Sequence, residues 1–172
     1  MLKLAGGLLT VLAGCLLGNS LASEQDQICL EMRYLQGLVM KLRGELWYSR
    51  TMLPEMLDQL AAVARTPYAE WLSGMADAMC RKESGDLSGI WERETEKYLS
   101  NGELPSAEVI RLKELGGSMG HADIEQQIRY LDRYLEELTG ALREKQRELG
   151  EKKKICRCLG ITGGILITVM LI

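Results

Sequence analysis

Two rows of apolar residues dominate the chain, and both have helical period. From about Gln25 to Tyr48, Ile28, Met32, Leu35, Val39, Leu42 and Leu46 step by four and three in turn, the narrow seam of a heptad repeat. Beyond a glycine-rich stretch, Ile124, Ile128, Leu131, Leu135, Leu138 and Leu142 repeat the pattern, and Leu149 resumes it one heptad later. No stretch alternates with period two for long enough to make a sheet.

Four shorter helical segments are predicted between the two rows. Pro54 opens one that carries Leu57, Leu60, Ala61 and Ala64. Thr66-Pro67 opens the next, with Tyr68, Trp71, Leu72, Met75 and Met79. Ser84-Gly85-Asp86 breaks it, and Leu87, Ile90, Trp91 and Leu99 mark a fourth helix, closed by the turn Asn101-Gly102. Pro105 starts a fifth with Val109, Ile110, Leu112 and Leu115, which Gly116-Gly117-Ser118-Met119-Gly120 is expected to end. Asp123 or a neighbour caps the sixth. All three prolines fall at helix starts, where a missing N–H costs nothing. The fold class is therefore all-α, a bundle of about six helices. Because both heptad seams have one period, the first and sixth helices are expected to pair as an antiparallel stem with the four short helices at its far end. A seam serving another core or a dimer is the alternative.

The ends are unlike the middle. Leu4 to Leu17 is charge-free, and no charge follows Lys3 until Glu24, about the length that spans a bilayer core. An uncleaved membrane helix is the preferred reading. A secretory signal cleaved near Ser20-Leu21-Ala22 and a lipoprotein site, Leu12-Ala13-Gly14-Cys15, compete with it. Leu159 to Ile172 is also charge-free, and Gly163-Gly164 together with apolar residues on every side argue against the alternative of a buried C-terminal core helix, which usually keeps a polar stripe. The chain thus divides into an N-terminal span at 1–22, a helical domain at 23–154 and a C-terminal span at 155–172. Lys152, Lys153, Lys154 and Arg157 stand on the domain side of the second span, so the positive-inside rule puts the domain in the cytoplasm. Five cysteines in no regular framework fit a reducing compartment.

Composition and motifs then narrow the function. A net charge of -3 with 47% hydrophobic residues excludes a basic nucleic-acid wrapper and a disordered acidic tail. There is no phosphate-binding glycine loop, dinucleotide fingerprint, nucleophile elbow or HExxH helix. His121 is the single histidine and reads as a helix-entry loop residue. Cys156-Arg157-Cys158 is too closely spaced for a redox pair. Trp47, Trp71 and Trp91 read as core. Gly116, Gly117 and Gly120 read as a connecting turn rather than an anion nest. No cofactor, metal, nucleic-acid or small-molecule site is expected, and a membrane-attached interaction module is what remains.

The chain also resembles the stage III sporulation protein AB family of endospore-forming Firmicutes over essentially its whole length. The resemblance is carried by Met1-Leu2-Lys3-Leu4 with the apolar segment after it, and by Glu45-Leu46-Trp47-Tyr48-Ser49-Arg50-Thr51-Met52-Leu53. Leu115-Gly116-Gly117-Ser118-Met119-Gly120 before Asp123, Gln126 and Gln127, and the C-terminal segment from Leu159, complete it. Met52 replaces the usual proline, and Glu24 and Asp26 replace a basic stretch. The resemblance implies a mother-cell membrane protein with two spans, one of eight proteins encoded together. They build a secretion-like channel to the forespore. It also implies a soluble part similar to the cytoplasmic domains of the type II secretion platform protein F. The implied partners are the cytoplasmic secretion-type ATPase (stage III sporulation protein AA) and other channel proteins of that operon. Arg50, Arg81, Lys82, Glu92 and Arg93 are the charged candidates for the ATPase contact. The alternative is an exported lipoprotein anchored at Cys15, serving as a cell-envelope binding module.

Overall fold

The structure is a computed structural model. It describes the backbone of residues 2–48, 52–81, 86–119 and 123–171. Side chains are described for 25–48, 52–81, 86–119 and 123–151, and for Lys154 and Ile155. Six helices account for the secondary structure there: α1 (Leu2–Tyr48), α2 (Leu53–Ala61), α3 (Tyr68–Cys80), α4 (Leu87–Leu99), α5 (Ser106–Met119) and α6 (Ile124–Leu171). No strand occurs among the described residues. The predicted first and sixth helices are longer than the seams alone required, because each continues without a break into an apolar end of the chain.

The chain groups into two compact units, Met1–Leu30 with Leu142–Ile172, and Glu31–Ala141. In the first, Cys29, Leu142 and Leu149 are buried, and Ile28 is half-buried. In the second, Met32, Leu35, Val39, Leu42 and Leu46 of α1 are buried, as are Ile128, Leu131 and Leu138 of α6, while Leu135 is half-buried. Two polar links set the direction of this pair. Gln36 Nε2 donates to Thr139 Oγ1 at 2.7 Å, and the Arg43 guanidinium donates to both carboxylate oxygens of Asp132. Seven residues forward on α1, from 36 to 43, are seven residues back on α6, from 139 to 132. One heptad against one reversed heptad is the register of an antiparallel pair.

The short helices begin where the sequence says. Pro54 lies in the first turn of α2, Pro67 is the N-cap of α3, and the Pro105 carbonyl accepts from the N–H groups of Glu108 and Val109 at the start of α5. Asp86 Oδ1 accepts from the Gly89 N–H at 3.0 Å, and Asp123 Oδ1 from the Gln126 N–H at 2.7 Å, so α4 and α6 each have a side-chain cap. α2 packs on α3, α3 on α4 and α4 on α5. Trp71 and Trp91 meet edge to face at 5.4 Å between ring centroids. Both indole N–H groups are satisfied, Trp71 by Thr95 Oγ1 at 3.1 Å and Trp91 by the Leu112 carbonyl at 2.8 Å.

Four expectations change. Trp47 is 62% exposed rather than core, because it lies one residue, about 100° of helix, beyond the buried Leu46. Ile110 and Ile124 are likewise exposed, each on the solvent side of its helix. Gly116 and Gly117 form neither a turn nor a nest. They lie inside α5, and a Cβ at Gly116 would coincide with the Trp91 side chain, so the glycine admits the indole against the helix. Gly120 and His121 lie outside the described residues.

Candidate interaction surfaces

The charged candidates fall on two described patches. Glu92 and Arg93 of α4 share a shallow surface with Glu96, Lys97 and Lys113. Arg93 Nε is 3.1 Å from Glu94 Oε1, and Lys97 Nζ is 3.6 Å from Glu94 Oε2. The hydrogen bond from Lys113 holds the Glu96 carboxyl below its ordinary range, helped by the Ser100 hydroxyl. Arg81 stands at the C-cap of α3, exposed, 3.5 Å from Asp77. Arg50 and Lys82 lie outside the described residues.

Several polar groups outside the charged candidates are buried. Glu94, Thr95 and Glu108 are buried in unit Glu31–Ala141, as is Tyr134. Glu108 Oε1 takes a 2.5 Å contact from Arg111 Nη1, but its Oε2 and the Tyr134 hydroxyl have no hydrogen-bond partner. Burial raises the Glu108 carboxyl above its ordinary value, against the pull of Arg111, and burial likewise raises the Tyr134 phenol. For Glu108 a signal existed: it occupies the same helical row as Leu112, Leu115 and Met119, all buried. A carboxylate at a heptad core position marks a buried charge.

A third cluster ties the α2–α3 connection to α1. Arg65 Nη2 lies 2.8 Å from Glu31 Oε1, Tyr68 donates to Glu31 Oε2 at 3.1 Å, and the Arg65 N–H donates to the Tyr34 hydroxyl at 2.8 Å. The guanidinium lies 4.1 Å over the Tyr34 ring. Each member is engaged within the fold, so the cluster is a brace. Among the described residues no group of His, Cys, Asp and Glu could hold a metal ion. None of those described helical residues forms a stretch long and apolar enough to cross a membrane. The candidate spans at 1–22 and 155–172 lie, Ile155 apart, outside the described side chains.

The geometry defines a class: an all-α bundle built on an antiparallel pair of long helices, with four short helices packed in chain order. Within that class the chain belongs to the stage III sporulation protein AB family, whose model matches residues 3–172. The fold is similar to a solved structure described as stage III sporulation protein AB (SpoIIIAB), with a TM-score of 0.65 and 21% sequence identity, over 72% of this chain and 97% of that one. No curated protein matches the chain. Family membership gives the protein a role in sporulation.

Proposed function

We propose that the protein is a non-enzymatic platform component of a secretion-like channel between mother cell and forespore. The family match across residues 3–172 carries this reading. Two charge-free ends anchor the chain in the mother-cell membrane around the forespore, and the domain at 23–154 faces the cytoplasm. The chain has no nucleotide-binding motif, so work on the channel is supplied by another chain, the secretion-type ATPase (stage III sporulation protein AA). Arg81, Glu92 and Arg93, with Arg50 and Lys82, supply charges for that contact, where charge sets partner choice and salt sensitivity.

Two measurements test this. Deleting the gene should stop spore formation after engulfment, with wild-type protein restoring it and Leu35→Asp failing to do so. Mass spectrometry of the membrane-extracted protein should find an uncleaved N-terminus. A diacylated Cys15 as the first residue would instead mean an exported lipoprotein and would sink the platform reading.

A further inference from the structure

α5 and α6 meet where Gln127 Nε2 donates to the Met119 carbonyl at 3.2 Å. Facing turns of the two helices line a small cavity of about 160 Å³. Its buried members, Leu115 and Tyr134, form the floor, and Arg111, Tyr130, Arg133 and Glu137 stand half-buried or exposed at its sides. All belong to the unit Glu31–Ala141. Tyr134 is 4% exposed, and its hydroxyl has no hydrogen-bond partner among the described residues. Nor has Oε2 of Glu108, which is buried one turn before Arg111 on α5. Burial foremost, then the charges of Glu108 and Glu137, raise the Tyr134 phenol against the opposing pull of Arg111, so both carboxylates stand within electrostatic reach of it. An unpaired buried polar group costs more than a typical hydrogen bond contributes, and two at one place call for an explanation.

Size, charge and ring chemistry narrow the ligand. The cavity has room for about five waters, well below what a nucleotide or cofactor needs. It suits the head of one long side chain, as an interface anchor fills a pocket. Around it stand three carboxylates, Glu108, Glu114 and Glu137, against two guanidinium groups, Arg111 and Arg133. Both arginines are engaged, Arg111 Nη1 with Glu108 Oε1 at 2.5 Å and Arg133 Nε with Glu137 Oε1 at 3.0 Å. An anion would have to break those pairs and would meet the Glu108 charge. A cation finds one negative charge in excess and a hydroxyl oxygen ready to accept. The two tyrosine rings then choose among cations. A planar guanidinium stacks on an aromatic face and carries five donors, whereas an ammonium is compact and strongly hydrated. We propose that the cavity receives an arginine side chain of a partner protein, whose guanidinium donates to the Tyr134 hydroxyl and the Glu137 carboxylate while its charge offsets that of Glu108. The inference is independent of the channel reading.

The test uses the full-length chain in detergent with isotope-labelled tyrosine rings, and capped arginine (N-acetyl-arginine methylamide) as the probe. The lysine and citrulline counterparts are controls. Titration followed by NMR should shift the rings of Tyr130 and Tyr134, but not those of Tyr34, Tyr48, Tyr68 and Tyr98. The shifts should saturate with a Kd of about 1 mM, the affinity of one side chain alone. The lysine probe should bind several-fold more weakly, and the neutral citrulline probe should not bind. Tyr134→Phe separates binding from folding. Read at Tyr130, it should weaken arginine binding about tenfold, yet leave Tm unchanged or higher, because the hydroxyl it removes has no hydrogen bond within the described fold. Glu137→Gln should also weaken binding, and Glu55→Lys, at an exposed position on α2, should not. No saturable shift, equal binding of citrulline, or a Tyr134→Phe variant that loses stability but keeps its affinity would overturn the proposal. So would free arginine binding about a hundredfold tighter than the capped residue, since the occupant would then be a free amino acid and not a partner's side chain.

Discussion

Glycine has opposite values at two positions of this chain. Gly116 faces the Trp91 indole, which is fully buried and held by the Leu112 carbonyl, so the ring has little freedom to retreat. A methyl group at Gly140 of α6 would meet nothing within 4 Å. Gly116→Ala should therefore destabilise the domain by about 1–3 kcal/mol through overpacking, even after the helix-propensity gain of about 1 kcal/mol. Gly140→Ala should keep that gain and stabilise by up to about 1 kcal/mol. Denaturant unfolding of the 23–154 segment measures both. Glu108 gives a pH-dependent counterpart. Its carboxyl is raised in the fold by burial, so its stabilising contribution is complete below the unfolded value and is lost as pH rises through the folded one. Glu108→Gln should therefore gain on wild type as pH rises from about 4 towards 7, and the gap should level off above the folded value. A wild-type advantage that instead grows with pH would mean that the Arg111 pair outweighs burial. None of this was visible in composition. Gly116 reads in sequence as a helix breaker because the indole that needs it comes from 25 residues earlier in the chain, on another helix.

At the scale of elements, the sequence carried most of the result, since proline positions, caps and heptad spacing are local. Each starts or orients a helix without reference to the rest of the chain. What spacing alone does not fix is how deep each seam residue lies. Leu35 and Leu138 have no exposed surface, whereas Leu135, on the same stripe as Leu138, is half-buried. Leu35→Asp and Leu138→Asp should each cost several kcal/mol and unfold the segment, because a buried unpaired carboxylate replaces a packed side chain. Leu135→Asp should cost distinctly less, since its carboxylate can reach water. Equal melting temperatures for all three would mean that the seam is not the core of the pair. The register has its own test. Asp132→Arg should lower the melting temperature by setting two guanidinium groups against each other, and Arg43→Asp added to it should restore most of the loss.

At the scale of the whole molecule, the proposal that the domain faces the cytoplasm can be read from two cysteines. Cys29 is buried and Cys80 is exposed, and neither is in a disulfide. Thiol chemistry follows access to solvent, so the two should differ in reactivity within one folded molecule. With Cys15, Cys156 and Cys158 replaced by serine, a membrane-impermeant maleimide should leave the protein unlabelled in intact mother cells and protoplasts. In broken membranes it should label Cys80 alone, and Cys29 should follow only after denaturation. The order separates two questions. The change on breaking the membrane reports the side on which the domain lies, a matter of the Lys152–Lys154 charges and the positive-inside rule. The change on denaturation reports the packing of Cys29 and is the same whichever side the domain occupies. Labelling of Cys80 in intact protoplasts would place the domain outside the cytoplasm, remove the contact with a cytoplasmic ATPase, and leave the six-helix fold untouched.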